Sequence, residues 1–170
     1  MKTNKFLISM VVLLSMANIA TVSYFLYSQD EDYKYTYLYK EYSKTMKQIE
    51  KMKISAETET NKATKKFEYE DIAYKLFTIK EFEKSIEMYK TSLLFDDDPT
   101  TIRITYDMIS SNYFYLRDYA EAIRYLHKAM EIDLGIDDEN GVDMLRRYCK
   151  ILQDSDKVIE LDIQMICDKY

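Results

Sequence analysis

Glycine and proline are nearly missing from this chain. It has two glycines, Gly135 and Gly141, and one proline, Pro99, in 170 residues. Strand-rich and α/β folds need many turn residues, so this scarcity excludes them and predicts long helices with few breaks. There is one histidine, His127, flanked by Arg124 and Lys128. With no cysteine or carboxylate at ligand spacing it makes no metal site, and it reads as an exposed surface residue. The two glycines lie six residues apart without a following Lys-Ser/Thr, which excludes a phosphate-binding loop. Asp96, Asp97 and Asp98 lack the glycine and the closing glutamate of a calcium loop and read as a solvated helix end. No basic patch appears in a chain of net charge −6, so nucleic acid is excluded as a partner. The expectation is a non-catalytic protein with no cofactor and no metal.

What the chain does contain is a segment that occurs twice. KEFEKSIEMYKTSLLFD at 80–96 returns as RDYAEAIRYLHKAMEID at 117–133, an offset of 37 residues. The shift carries Phe82 to Tyr119, Ser85 to Ala122, Ile86 to Ile123 and Leu93 to Met130. Upstream it carries Tyr69 to Tyr106, Ile72 to Ile109, Ala73 to Ser110 and Leu76 to Tyr113. An internal period of this size signals stacked helix pairs. Tyr69, Ile72, Ala73 and Leu76 form one helical stripe, and Ser85, Ile86, Tyr89, Ser92 and Leu93 form a second. The turn between them runs from Thr78 to Glu81. Ala73 with Ser85, and Ser110 with Ala122, are the small pairs that let two antiparallel helices come close.

These residues resemble the tetratricopeptide repeat (TPR) family. The match is clearest in SSNYFYLRDYAEAIRYLHKAMEID at 110–133 and is good from about Lys66 to Pro99, with proline just after the helix. A degenerate third copy, offset by 36, starts near Glu139 and places Val142, Leu145, Cys149, Val158, Ile159, Met165 and Ile166 on apolar stripes. Arg146 and Asp162 depart from the pattern and suit a terminal cap. The resemblance implies an all-α solenoid of about three antiparallel pairs over 63–170. It implies a partner-binding groove lined by the first helix of each pair: Glu70, Asp71, Tyr74 and Phe77, then Asp107, Met108, Phe114 and Tyr115, then Arg147. Phe67, Ser111, Asp143, Met144 and Lys150 share these helix faces. The paired Lys and Asn with which some members clamp a terminal carboxylate are absent from the first two copies. An apolar floor with an acidic margin predicts a partner segment carrying apolar anchors and Lys or Arg, with Phe114 as an anchor contact. The alternative for Phe77, Phe114 and Tyr115 is packing against neighbouring helices.

Residues 6–29 carry no charge, and Phe6 to Tyr27 is 22 residues, roughly 33 Å as a helix, which matches the bilayer. Lys2 and Lys5 precede this stretch, which predicts a signal-anchor at 1–29 with its N-terminus in the cytoplasm and the rest outside, periplasmic in a bacterium. A cleaved signal peptide ending near Ser15-Met16-Ala17 is the alternative. Residues 30–62 read as a helical stalk. Within it, Tyr35, Leu38, Tyr42, Thr45, Ile49, Met52 and Ala56 keep a 3–4 spacing that suits a homo-oligomeric coiled coil through 33–56, a helix packed on the first repeat, or a solvated stalk. Residues 55–62, SAETETNK, read as the hinge. Cys149 and Cys167 stand about 15 Å apart in a simple antiparallel hairpin, so two buried free thiols are expected rather than a disulfide. The function these readings imply is a membrane-anchored scaffold or adaptor in an envelope-associated protein assembly; the alternative is an extracytoplasmic, chaperone-like accessory subunit that binds transient segments.

Overall fold

The computed structural model describes residues 36, 38–132, 139–155 and 159–170. The expected membrane span, 6–27, lies outside them. Among the described residues every regular element is helical, and none is long and apolar enough to cross a membrane. The elements are α1 (38–58), α2 (Lys62–Thr78), α3 (Phe82–Ser92), a 3₁₀ turn (Leu93–Phe95), α4 (Pro99–Tyr115), α5 (Tyr119–Glu131), α6 (Glu139–Gln153) and α7 (Leu161–Lys169). Contacts divide the chain into Met1–Lys44 and a compact unit Thr45–Tyr170.

Two hairpins, α2–α3 and α4–α5, form the centre of the compact unit. Ala73, Ser85, Ser110 and Ala122 are all fully buried. Ser85 Oγ donates to the Ala73 carbonyl at 2.8 Å, and Ser110 Oγ donates to the Ala122 carbonyl at 2.7 Å. The two bonds occupy the same place in the repeat but run in opposite directions: the hydroxyl comes from the second helix in one hairpin and from the first in the other. Each adds about 1 kcal/mol net, and the small side chains allow the approach that makes it possible.

The turns are repeated as closely. Ile79, Lys80 and Glu81 donate to the carbonyls of Lys75, Phe77 and Leu76; Leu116, Arg117 and Asp118 donate to those of Asn112, Phe114 and Tyr113. Lys80 (φ 65°) and Arg117 (φ 61°) hold the left-handed conformation that reverses the chain. Asp118 caps α5 through Glu121 N. Pro99 opens α4, with Asp98 as the N-cap accepting from Thr100 N at 2.9 Å. The missing N–H of proline costs nothing at that position.

The core begins earlier than the repeats. Ile49 and Ala56 of α1 are fully buried in one cluster with Tyr69, Ile72, Ala73 and Leu76. From Thr45 onward, α1 is therefore a helix packed on the first pair. The expected hinge at 55–62 is a tied corner instead: Ser55 Oγ donates to Glu68, Lys65 Nζ reaches the Glu57 carbonyl, and Asn61 caps α2 through Thr64 N.

The third pair departs from its expected register. α6 keeps the offset of 36: Gly141, Leu145 and Tyr148 are buried where Thr105, Ile109 and Asn112 are buried in α4. α7 does not, and starts only at Leu161. Ile163 is its one fully buried residue, while Met165, expected on the apolar stripe, is 61% exposed. Val158 lies outside the described residues. The late start also overturns the expectation of free thiols: Cys149 and Cys167 form a disulfide with Cα atoms 5.6 Å apart. Cys149 stands four residues before the end of α6, and Cys167 stands six after the start of α7. A mismatch of two residues is about 3 Å along the axes, because α7 begins at Leu161 rather than directly after a turn near Asp154. His127, expected at the surface, is half-buried against Tyr170, with ring centroids 6.1 Å apart.

Non-glycine residues in the left-handed region cost about 1–2 kcal/mol, partly offset by the greater freedom glycine loses on folding. Lys80→Gly and Arg117→Gly are each expected to raise stability by about 0.5–1 kcal/mol in denaturant titrations, whereas Lys80→Val lowers it. A loss of stability in both glycine variants would show that the side chains, not the backbone, dominate these turns.

Candidate partner-binding face

α2, α4 and α6, the first helices of their pairs, lie side by side. Thr105 Oγ1 donates to Glu70 at 3.3 Å, the Phe77 and Tyr115 rings meet at 5.5 Å, and the Phe114 and Tyr148 rings stack at 4.6 Å. The expected groove residues fall on this face in two classes. Phe77, Phe114 and Tyr115 join a continuous aromatic chain: Phe82 touches Phe77 and stacks on Tyr115 at 5.2 Å, Phe114 touches Tyr115, and Phe114 sits between Tyr119 and Tyr148. Phe114 therefore packs against neighbouring helices, the alternative that the sequence left open for it. Tyr115 takes part in the chain and is still 58% exposed. Tyr74, at 55%, and Phe67, at 59%, are open on α2, as Ile104 is on α4. Met108 is half-buried against the first core.

Tyr148 was not anticipated from the sequence. It occupies the place of buried Asn112 in the preceding copy, and its ring closes the aromatic chain at α6. Burial pushes its phenol up; Arg147 pulls it down, while Tyr115 and Asp107 add to the rise. Three expected groove residues, Asp107, Tyr115 and Arg147, are thus within electrostatic reach of one hydroxyl. Glu70 and Tyr74 act in the same way on the phenol of Tyr89, which burial raises most.

The acidic margin is largely occupied. Asp71 pairs with Lys75 at 3.6 Å, and Glu70 meets Lys66 at 3.8 Å besides Thr105. Lys66 is itself buried and pairs with Asp96 at 2.9 Å, where the two side chains are 7% and 3% exposed. Asp96 also accepts from Thr101 Oγ1 at 2.7 Å and from Asp98 N at 3.1 Å. Asp97, paired with Lys62, and Asp98, the N-cap of α4, are the solvated helix end that was expected, but Asp96 is a buried counter-ion instead. Burial alone would raise the Asp96 carboxyl, but the bonds from Thr101 and Lys66 together hold it below its usual range; Glu70 is pushed up by burial against the pull of Lys66. A signal for this network was present in the sequence. Lys66 continues the apolar stripe of Tyr69 and Ala73, and a cation there demands a buried anion. The set also recurs 37 residues on as Arg103, Asp107 and Asp133, the last outside the described residues.

The second helices carry different chemistry. Lys90 of α3 lies over the rings of Tyr113 and Tyr125 and donates to the Tyr113 hydroxyl at 3.0 Å. Arg124 of α5 binds Glu121, Glu160 and Asp162, which ties the start of α7 to α5 and holds the Asp162 carboxyl low. Among the described residues no three metal-ligating side chains converge.

Removing one partner of a buried ion pair costs about 3–5 kcal/mol, whereas replacing both by apolar groups is near neutral. Lys66→Ala and Asp96→Ala are each expected to lose about that much in chemical denaturation, and Lys66→Met with Asp96→Leu to recover most of it. Because the Asp96 pKa is depressed, its contribution is present above the unfolded carboxyl's pKa and is lost as pH falls through the folded value. The double variant should therefore flatten the acid limb of the stability curve. Equal loss in the single and double variants would exclude a paired role.

No protein-family model matches this chain, and no curated protein matches it.

Proposed function

We propose that residues 66–170 are a tetratricopeptide-type solenoid of about three helix pairs, and that the protein is a non-catalytic, membrane-anchored scaffold. It holds a protein partner on the face of α2, α4 and α6 within an envelope-associated assembly. The observation that carries this reading is the hairpin repeated in detail: the small-residue crossing and the left-handed turn recur at one offset. Stacked hairpins of this kind line up the first helix of every pair into a shared surface suited to protein partners. Phe67, Tyr74, Tyr115 and Met144 are exposed on that surface here, and aromatic residues and methionine are enriched at interface cores. The Cys149–Cys167 disulfide supports an oxidising compartment, in keeping with a domain carried out of the cytoplasm by the span at 6–27.

A photo-crosslinking amino acid at Tyr74 or Tyr115 of the full chain in its native membranes is expected to yield discrete protein adducts. The same group at Glu83 or Glu87 on α3 is expected to yield none. Adducts from α3 alone would move the interface to the other face. For the compartment, cells quenched in acid and treated with a polyethylene-glycol maleimide should show no modified cysteine until a reductant is added. Two adducts without reductant would place the domain in a reducing compartment.

A further inference from the structure

The charge left available on this face is opposite to what the acidic composition predicts. Glu70 and Asp71 are engaged by Lys66, Thr105 and Lys75, and Asp107 is not free. On α6, Asp143 pairs with Arg146 at 3.3 Å. Arg147 and Lys150, one turn apart and both exposed, have no acidic partner among the described residues. Arg147 precedes Tyr148, whose ring stacks on Phe114, and Phe114 touches Tyr115, so Arg147 lies near the exposed aromatic of the chain, with Lys150 one turn further along α6. Met144, 37% exposed and one turn before Arg147, continues the apolar strip on α6.

Resting on the scaffold reading above, we infer that the α4–α6 end of this face takes an acidic stretch of the partner: side-chain carboxylates meet Arg147 and Lys150, and a neighbouring apolar side chain covers Tyr115 and Met144. The sequence alone predicts a partner bearing Lys or Arg, because it counts Glu70, Asp71 and Asp107 as available. Ion pairs within the face remove Glu70 and Asp71 from that count, and Asp107 is engaged as well. Complementary charge at the rim of an apolar contact mainly sets association rate and partner choice, and the apolar contact sets lifetime.

The test uses the full chain in detergent micelles and two rhodamine-labelled helical peptides. Both carry leucine and phenylalanine at the same positions; one has Glu and Asp at the rest, the other Lys. The net charge of −6 favours the basic peptide overall, so a preference for the acidic one is discriminating. Anisotropy titration should show the acidic peptide binding at least tenfold tighter at low salt, with the gap closing as salt shortens the Debye length. Arg147→Glu with Lys150→Glu should reverse the preference, Arg147→Gln with Lys150→Gln should abolish it, and Tyr115→Ala should weaken both peptides. Tighter binding of the basic peptide, or a preference unmoved by either double variant, overturns the charge inference while crosslinks at Tyr74 and Tyr115 still support the scaffold. Binding of neither peptide overturns the inference, and the scaffold reading falls with it only if those crosslinks are absent too.

Discussion

In the two central hairpins, α2–α3 and α4–α5, the helices cross at two small residues, and the rest of the compact unit is positioned from these crossings. Ala73 meets Ser85 and Ser110 meets Ala122, with a hydroxyl bonded to the facing carbonyl. A larger side chain at any of the four positions separates the helices and tilts the stripes that bury Ile72, Leu76, Ile86 and Ile123. Once the crossing is fixed, the left-handed turns at Lys80 and Arg117 can close, and the first helices of successive pairs can lie side by side.

The face they form is held by two kinds of contact at its two ends. Toward α6, the aromatic chain from Phe82 to Tyr148 spans three pairs through ring-to-ring contacts. Toward the start of α2, the Lys66–Asp96 pair with Thr101 and Thr105 joins α2 to the segment that opens α4. Side chains that look free on a helical wheel are thereby spent on holding neighbouring helices together. Tyr74, Tyr115, Arg147 and Lys150 remain accessible.

The hairpins were legible because their determinants are local: small pairs, apolar stripes and short polar turns recur at a fixed offset. The all-α character followed from the scarcity of glycine and proline. Less was legible where distant segments decide the outcome. Asp96 reads as solvent-facing until Lys66 is brought against it. Phe114 looks like an exposed anchor until Tyr148, 34 residues on, stacks over it. The cysteine pairing depended on where α7 begins, and helix starts are read poorly when, as at Glu160, the N-cap makes no side-chain bond.

A repeat array touches only its neighbours, so it loosens from its ends rather than from its middle. Here the ends are secured differently. At the front, α1 is held by burial of Ile49 and Ala56, which thermal motion can undo and restore. At the back, the short α7 is tied to α6 by a covalent bond that only chemistry can open. Fraying is therefore directional: under heat or mechanical load the compact unit gives way first at its N-terminal end, at α1, while the end carrying the disulfide keeps its shape.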